Sequence, residues 1–247
     1  MSQYYNVPRT RNLYIPGQPF KVSRSKIDLF LECQRCFYLD RVKGVGRPPG
    51  FPFNINSTVD HLLKKEFDLH RAKQKAHPMM KAYGLKAVPF EHQNMDQWRE
   101  NFVGVQYFHQ PTNLTIFGAV DDLWMDVSGD LIVVDYKATS KDGKVSLDAD
   151  WQICYKRQME VYQWLMRHNG FEVSNTGYFV YCNGRRDAQA FDGKLEFDVD
   201  LLPYEGNDDW VEGTVVDLHA CMNQPEIPAS NPGCDYCLYR QAVSNVE

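Results

Sequence analysis

The sequence lacks the features that would place the protein in or across a membrane. No apolar run among its 247 residues approaches the length that spans a bilayer, and the first residues, MSQYYNVPRT, lack the apolar core of a secretory signal. We therefore expect a soluble cytoplasmic protein. The sequence also has no G-x-x-x-x-G-K-[ST] loop, no internal repeat and no low-complexity segment, so we expect a globular protein without a motor of its own.

Positive charge is also scarce. The chain has 27 Lys and Arg residues against 32 Asp and Glu residues, a formal net charge of −5, so a broad basic surface is not expected. Short basic clusters occur, but each taken singly is more often a solvated face, and they leave room for a local basic groove only. The rest of the composition, 43% hydrophobic and 24% charged, is ordinary for a globular chain of one large or two small domains.

The cysteines do not suggest a disulfide framework, because their number, seven, is odd and no secretory signal precedes them. Three are scattered, and we expect them to be small buried hydrophobes: Cys154, Cys182 and Cys221. The other four form two C-x-x-C pairs near opposite ends of the chain: Cys33 with Cys36, and Cys234 with Cys237. Two such pairs could present four thiolates to one metal.

The pattern of apolar, β-branched and turn-forming residues predicts an α/β fold with a central mixed sheet flanked by helices. Residues 1–22 read as an irregular arm and 44–53 as a loop. The expected helices cover about 26–42, 57–75, 95–102, 151–168 and 208–222, and the expected strands cover 105–109, 114–127, 131–139, 176–183 and 194–202. The two cysteine pairs enclose these elements, which favours one domain, 23–240, followed by a tail, 241–247.

The strongest functional signal lies in the run LIVVDYKAT. Alternate residues of a strand lie on the same face, so Asp135 and Lys137 share one face and Tyr136 points to the other. An exposed ion pair at a strand end would explain these two residues equally well if they stood alone. The preceding strand favours a functional site over an exposed ion pair.

The preceding strand carries Asp121 and Asp122 in an otherwise apolar run, and the register of the hairpin decides which of them joins the site. If residues 128–130 form the whole loop, Val127 pairs with Leu131, and Asp121 lies opposite the lysine and on the face of the first carboxylate. A two-residue turn would bring in Asp122 instead. We favour the longer loop, and therefore Asp121.

Two carboxylates about 4 Å apart repel each other by about 4 kcal/mol at an effective dielectric of 20. A divalent cation reverses the sign of that interaction, and hard oxygen ligands suit Mg²⁺ or Mn²⁺. A cation at this place would polarise a phosphoryl oxygen and lower the pKa of a bound water, while the lysine would position that water or stabilise developing charge. These groups together predict phosphodiester hydrolysis.

Three motifs stand in order on the predicted strand, strand and helix: Gly118-x-x-Asp121, Asp135-Tyr136-Lys137 and Gln158-x-x-x-Tyr162. With them the chain resembles the PD-(D/E)XK nuclease superfamily over about residues 23–240. More narrowly, it resembles the RecB-type nucleases, which include the CRISPR-associated Cas exonucleases. The resemblance implies a restriction-endonuclease-like core.

The same resemblance implies the roles of the matching residues. Asp121, Asp135 and the backbone carbonyl of Tyr136 would bind the metal, and Lys137 would be catalytic. Gln158 and Tyr162, which are four residues apart and therefore on one helix face, would face the site and the DNA. Without the hairpin, a solvent-facing Gln beside a core Tyr would be an equally good interpretation.

One position departs from the family pattern. The family usually supplies a His in a Gly-x-x-x-His motif on an early helix, but the spacing here places Asp60 at that position and His61 one residue later. Neighbouring residues of a helix point about 100° apart, so only one of the two is expected to bind the metal. Either one has suitable chemistry, and both could also be surface residues.

The resemblance also bears on the four cysteines. RecB-type nucleases often carry a [4Fe–4S] cluster, which would tie residues 23–43 to residues 225–240 as a metal-stapled helical cap. The usual last cysteine of that pattern is replaced by Val243, and Cys36 would take its place. The two-plus-two arrangement is also typical of tetrahedral Zn²⁺, so the resemblance favours iron–sulfur and the spacing favours zinc.

The resemblance implies a DNA substrate, single-stranded or end-bearing, and an exonuclease that would depend on a separate helicase or a recombination, repair or CRISPR partner for any unwinding. The candidates for contacting DNA are basic: Arg24, Lys26, Lys156 and Arg157. Two alternatives remain. One is an inactive nuclease fold that serves as a DNA-binding or assembly subunit, and the other is a zinc-stapled interaction module, which would leave the D-x-K strand unexplained.

Overall fold

A computed structural model describes residues 8–50 and 53–247. The helices are α1 Arg24–Glu32, α2 Gln34–Arg41, α3 Asn54–Arg71, α4 Pro78–Ala82, α5 Met95–Trp98, α6 Ile153–His168, α7 Asp209–Asn223 and α8 Asp235–Ser244. The strands are β1 Phe20–Ser23, β2 Ala87–Pro89, β3 Val105–His109, β4 Leu114–Gly118, β5 Asp122–Asp126, β6 Leu131–Thr139, β7 Thr176–Gly184 and β8 Phe197–Glu205. The predicted α/β fold is confirmed.

The described residues divide into two compact units. The terminal unit comprises 8–50, 107–117 and 209–247, and the central unit comprises 53–106 and 118–208. Two parts of the predicted elements lie outside the described residues: residues 51 and 52 of the predicted loop 44–53, and residues 1–7 of the predicted arm. The expectation of a single domain over 23–240 stays a prediction.

The central unit contains a five-stranded mixed sheet in the order β2-β5-β6-β7-β8. Strands β6 and β7 are parallel, and the other neighbours are antiparallel. The apolar run at the start of β6 is buried on both faces, as expected for a strand in the middle of a sheet. The even-numbered residues of β6 pack with Leu63 and Phe67 of α3, so Asp135 and Lys137 point to the opposite face.

The terminal unit contains a three-stranded sheet, β1-β4-β3, in which β1 and β4 run parallel. Its helices are α1, α2, α7 and α8, and α1 and α2 pack through the edge-to-face contact of Phe30 and Phe37. The buried carboxylate of Asp40 binds three cations, Arg9 at 2.6 Å, Lys26 at 2.7 Å and Arg41 at 3.0 Å. This sheet was not expected, because β1 lies inside the predicted irregular arm.

Two predicted elements are each broken in two. The helix expected over 26–42 breaks at Cys33, whose extended backbone (φ −162°, ψ 104°) ends α1 and begins α2. Neither glycine nor proline marks this break in the sequence. The strand expected over 114–127 is also two strands, β4 and β5, in different sheets. At fourteen residues the predicted strand was longer than strands of globular proteins usually are, about 3–10 residues.

The predicted hairpin register is wrong by two residues. Met125, not Val127, pairs with Leu131. The reason is the turn: the carboxylate of Asp126 accepts hydrogen bonds from the backbone N–H groups of Ser128 at 2.8 Å and of Asp130 at 3.1 Å, which closes the turn early. A shift by two residues preserves the alternation of faces, so the choice of the first aspartate over the second is unchanged.

Within the residues that the structure describes, no helix is both long enough and apolar enough to traverse a bilayer.

Candidate active site and cysteine cluster

Strand β6 places Asp135 and Lys137 on one face at the middle of the central sheet. Asp135 is fully buried and forms an ion pair with the ammonium of Lys137. Asp121 lies just before β5, and extending the β5–β6 register by one residue places it opposite Asp135 rather than opposite the lysine. Its carboxylate accepts the backbone N–H of Tyr136 at 2.9 Å, so the two carboxylates are anchored to the same short stretch of β6.

The next residue, Asp122, has a different role. It is fully buried, and its carboxylate accepts hydrogen bonds from Arg71, Arg99 at 2.9 Å, the Tyr136 hydroxyl at 2.7 Å, the Trp124 indole at 3.2 Å and the backbone of Leu123 at 2.8 Å. Burial contributes most to raising the pKa of Tyr136 well above its usual value, and the negative charge of Asp122 raises it further. The phenol therefore keeps its proton and donates it in the hydrogen bond to Asp122. Asp122 is therefore a structural anchor between α3, α5 and the sheet.

Helix α3 contributes Asp60, while His61 is exposed. Burial contributes most to raising the pKa of Asp60, and the negative charge of the nearby Asp121 carboxylate raises it further. Between them lies Lys64, whose ammonium donates to Asp60 at 2.9 Å and to Asp121 at 3.3 Å. Burial would lower the pKa of Lys64, but the two carboxylates outweigh it and raise that pKa.

Sequence reasoning missed Lys64. Its only signal was its spacing, four residues after Asp60 on the same helix, and that spacing is common on solvated helix faces. Of the two early-helix candidates, Asp60 is linked to Asp121 through Lys64, whereas His61 is exposed, and which of them binds metal stays a prediction.

Helix α6 holds Lys137 in place. The Lys137 ammonium donates to the Gln158 side-chain carbonyl at 3.3 Å, and the Gln158 amide in turn donates to the Tyr162 hydroxyl at 3.1 Å. The ammonium also lies 4.5 Å from the ring centroid of Tyr155, a cation–π contact that the sequence did not predict. Burial, and next the neighbouring phenol of Tyr181, raise the pKa of Tyr155 to about 12, so it remains neutral near pH 7.

A small cavity of about 110 Å³ opens between α3, β6 and α6. Its lining includes Asp60, Lys137 and Tyr155, together with Asn56, which donates to the Ala138 carbonyl at 3.0 Å. A cavity of this volume with polar walls has room for more than one water molecule. The part of the candidate site formed by Asp60 and Lys137 therefore has room for water.

The donor atoms fit a hard divalent cation. Asp60, Asp121 and Asp135 carry three carboxylates, and the two ammonium groups of Lys64 and Lys137 balance only two of those charges. One negative charge is left over among oxygen ligands, and Mg²⁺ and Mn²⁺ bind oxygen ligands of this kind.

The four predicted DNA contacts are not gathered into one surface by either unit. Arg24 and Lys26 belong to the terminal unit, and Lys26 is engaged with Asp40 at 2.7 Å. Lys156 and Arg157 lie half-buried on α6 in the central unit, where the Lys156 ammonium is 5.9 Å from the Tyr204 ring centroid. Their role in binding DNA stays a prediction.

The four cysteines of the two C-x-x-C pairs do come together, in the terminal unit. Their sulfur atoms all lie within 4.8 Å of one another. Cys33 and Cys237 are 3.7 Å apart, Cys36 and Cys234 are 3.6 Å apart, and Cys36 and Cys237 are 3.9 Å apart. In the described part of the chain, no other group of three or more His, Cys, Asp or Glu ligands is as closely gathered.

The local structure of the cysteine pairs differs from the prediction. Cys33 and Cys36 are not on one helix, because Cys33 is the residue at which α1 and α2 meet. Cys234 and Cys237 are not in a loop: Cys234 caps the start of α8, Cys237 lies in its first turn, and the helix continues to Ser244 into the expected tail. In each C-x-x-C pair, the first cysteine is therefore the N-cap of a helix and the second lies in the first turn of that helix.

Charge within the cysteine cluster is concentrated on one sulfur. Burial would raise the pKa of Cys33, but hydrogen bonds from the backbone of Cys36 and Asn231 outweigh it and lower that pKa to about 7. Burial, and next the hydrogen bond with Cys33, raise the pKa of Cys237 to about 12. The guanidinium of Arg47, which the sequence did not single out, donates to the Cys234 sulfur at 3.4 Å.

Comparison with known proteins places this geometry in a family. The model of the PD-(D/E)XK nuclease superfamily matches residues 54–242, from the start of α3 into α8. A search of curated protein sequences finds no match. Among solved structures, the crystal structure of SSO0001 matches at 17% sequence identity with a TM-score of 0.41, over 92% of this chain and 87% of that one. Because the family match covers most of the chain and every residue of the candidate active site, the chain belongs to the PD-(D/E)XK nuclease superfamily.

Proposed function

We propose that the protein is a Mg²⁺- or Mn²⁺-dependent deoxyribonuclease. Membership of the superfamily implies a nucleic-acid substrate. The observation that carries the proposal is the convergence of Asp121, Asp135 and Lys137 at the centre of the sheet, with two carboxylates anchored to β6 and an ammonium beside them. A purely structural Asp–Lys pair would not require a second carboxylate from another strand.

The residues that would hold the metal are the carboxylates of Asp121 and Asp135 and the backbone carbonyl of Tyr136, with Asp60 from α3 as a further oxygen ligand. When bound there, a divalent cation supplies Lewis acidity to a phosphoryl oxygen and lowers the pKa of a water molecule. Asp60 lines the small cavity, so it lies where a water nucleophile would be admitted.

Lys137 would stabilise the negative charge that develops on the phosphate in the transition state. Three contacts restrict its ammonium: the ion pair with Asp135, the hydrogen bond to Gln158 and the ring of Tyr155. Restricting the ammonium beforehand matters because a charge that is already oriented needs no reorganisation during the reaction. Gln158 and Tyr162 are positioning residues in this scheme, since they act on the lysine and not on the phosphate.

The finer substrate class follows from the resemblance to RecB-type nucleases. We propose that the enzyme degrades single-stranded DNA or DNA ends as an exonuclease and that a separate partner supplies any unwinding. Linear and circular single strands of the same sequence distinguish the two modes of cutting. An exonuclease leaves the circle intact, whereas an endonuclease linearises it.

The decisive experiment compares wild type with Asp135→Ala on labelled single- and double-stranded DNA in the presence of Mg²⁺ or Mn²⁺. We expect the rate to fall by about 10³-fold or more, since several kcal/mol of charge stabilisation are removed. Asp130→Ala is the matched control, because Asp130 lies on the same hairpin outside the site. Cleavage by both wild type and Asp135→Ala, or by neither, contradicts the proposal.

We also propose that the cysteine cluster binds a single Zn²⁺ ion. Four sulfurs around a tetrahedral zinc at about 2.3 Å would be about 3.8 Å apart. Three of the six separations, all between one C-x-x-C pair and the other, are 3.6–3.9 Å, and all six are within 4.8 Å. An iron–sulfur cubane, the other candidate, binds each thiolate to a different iron atom and would require a wider set of sulfurs. One equivalent of zinc in a colourless protein supports the proposal, and a brown protein with absorbance near about 400 nm would assign an iron–sulfur cluster instead.

One observation favours a second function, an inactive DNA-binding or assembly subunit. Lys64 places a permanent positive charge between Asp60 and Asp121, where a metal-dependent enzyme needs an ion. If Lys64 cannot be displaced, the fold would bind DNA without cutting it. DNA binding by the wild type with no cleavage under either metal would support this alternative.

A further inference from the structure

A cleft of about 610 Å³ opens in the terminal unit beside the cysteine cluster, and the proposed hydrolysis does not use it. It lies between the segment after α2 and helix α8, and Cys36 and Cys237 form part of its wall. Three arginines and two tyrosines line it: Arg35, Arg47, Arg240, Tyr236 and Tyr239. We call it the arginine cleft.

The charged side chains that line the arginine cleft are all of one sign. Its lining includes three arginines and no acidic residue, although the chain as a whole carries a formal net charge of −5. The larger cleft of about 1130 Å³ in the central unit is lined by four basic and four acidic residues, which cancel. A concave surface lined by one sign of charge concentrates the field and attracts ions of the opposite sign. The three arginines of the lining therefore favour an anionic ligand.

Helix α8 adds aromatic rings to this charge. Tyr236, Tyr239 and Arg240 lie three and four residues apart, which places them on one face of the helix. Tyr236 is 42% exposed and Tyr239 is 72% exposed, far more than the tyrosines of the core. None of the ten residues of α8 is a buried core residue, and the Tyr239 ring is left largely to solvent, whereas Arg47 covers part of the Tyr236 ring. Exposed rings beside arginines form a surface on which flat, uncharged groups of an anion can stack.

The arginines differ in how firmly they are held. Arg47 pairs with Glu32 at 2.5 Å, and its guanidinium lies 4.6 Å from the ring centroid of Tyr236. Arg35 donates to the backbone carbonyl of Pro228 at 2.9 Å. Arg240 is exposed on α8. Two guanidinium groups are thus fixed in the wall, and Arg240 is the most accessible of the three to a phosphate.

We propose that the arginine cleft binds a short segment of single-stranded DNA. Arginine guanidinium groups bind phosphates, and tyrosine rings stack on bases, the combination by which proteins hold single strands without reading their sequence. Stacking on Tyr239 requires an unpaired base, so duplex DNA would not use the rings. The identity of the ligand rests on the proposed function, but binding in the cleft does not depend on cleavage.

The test measures binding in a background that cannot cut. Asp135→Ala protein, purified with its cysteine-bound metal, is titrated against a fluorescent oligothymidylate of about 16 nucleotides, and anisotropy gives the Kd. Arg240→Glu should weaken binding by about 10-fold or more, since one phosphate contact becomes a repulsion. Tyr239→Ala should weaken it by about 5-fold or more through the loss of one stacked base.

Two control variants match these changes. Leu238→Ala alters the neighbouring exposed residue of α8, which does not line the cleft, and Arg11→Glu reverses another exposed arginine of the terminal unit. Both should bind as the parent does, and all four variants should melt at the parent's temperature. Because Tyr239→Ala removes only stacking, it should leave the affinity for duplex DNA unchanged.

The outcomes separate this proposal from the proposed enzyme activity. If Arg240→Glu and Tyr239→Ala bind the oligonucleotide as tightly as the controls do, the cleft does not hold DNA, whatever the wild type cleaves. If Arg240→Glu weakens single strands and duplex equally while Tyr239→Ala changes neither, the effect is general electrostatics and the proposal fails. If both variants lose affinity for the oligonucleotide as expected but the wild type cuts no DNA, the result supports DNA binding in the cleft and contradicts the proposed nuclease activity.

Discussion

The carboxylate site of the central unit and the cysteine cluster of the terminal unit gather metal ligands in opposite electrostatic ways. The four sulfurs lie within 4.8 Å of one another with no side-chain cation bridging them, although the Arg47 guanidinium donates to the Cys234 sulfur at 3.4 Å. The carboxylates do not meet directly: Lys64 bridges Asp60 and Asp121, and Lys137 pairs with Asp135. The chain therefore pairs each of these carboxylates with an ammonium group, whereas Arg47 contacts the cysteine cluster at one sulfur and leaves the four sulfurs close together.

The difference follows from the charge of the ligands. Unperturbed thiols, with pKa values near 8.5, are mostly neutral at pH 7. Even with Cys33, whose pKa is lowered to about 7, partly ionised, the four sulfurs repel one another less than four carboxylates would. Carboxylates are ionised at pH 7 and repel by about 4 kcal/mol at about 4 Å and an effective dielectric of 20. Lys64 and Lys137 offset that repulsion in the folded chain. We infer that metal at the cysteines contributes to folding, whereas metal at the carboxylates would meet a site in which two ammonium groups already balance two of the three negative charges.

The largest effect is expected at the cysteine cluster. Cys234→Ser removes one of four metal ligands and should lower the free energy of unfolding by several kcal/mol, since structural zinc can contribute about 10–16 kcal/mol in small peptides. Thermal denaturation with metal analysis checks this. Cys154→Ser, a half-exposed cysteine outside the cluster, is the control and should keep both metal and melting temperature. A normal metal content and a normal melting temperature in Cys234→Ser would contradict the inference that metal at the cysteines contributes to folding.

The next largest effect separates two neighbouring aspartates. Asp122→Ala leaves Arg71 and Arg99 without their buried partner and should cost about 3–5 kcal/mol of stability. Asp121→Ala removes a carboxylate whose side chain is 21% exposed, so it should cost much less stability but most of the cleavage activity. Urea denaturation and initial rates give both quantities for each variant. Equal stability losses in the two variants would argue against separate roles.

The smallest effect concerns the internal cation. Lys64→Met removes the ammonium that competes with a metal for Asp60 and Asp121, so Mn²⁺ should bind about 10-fold more tightly, a gain of about 1.4 kcal/mol. The metal-free variant should also be less stable, since the two carboxylates lose their counter-charge. Isothermal titration with Mn²⁺ measures the affinity.

Lys65→Met is the matched control for this change, because Lys65 is the next residue of α3 and is exposed. Unchanged or weaker Mn²⁺ binding in Lys64→Met, relative to Lys65→Met, would mean that the lysine does not occupy the metal's place.

Local periodicity explains what was predictable. The alternation of side chains along a strand was the reason for choosing Asp121 over Asp122. The predicted register was wrong by two residues, which is one full period of the alternation, so the face assigned to each aspartate did not change. The apolar run of β6 and the helical pattern of α6 were also visible in the sequence. The break at Cys33 was not, because neither glycine nor proline accompanies it and only the packing of α1 on α2 requires it.

The sequence by itself determined the kinds of ligands, their order along the chain and the strand face on which Asp135 and Lys137 lie. Only the tertiary structure brought cysteines 198 to 204 residues apart into one cluster and placed Lys64 between two carboxylates. The physical reason is that alternation and helical spacing act over a few residues, whereas contacts between distant segments depend on how the whole chain packs.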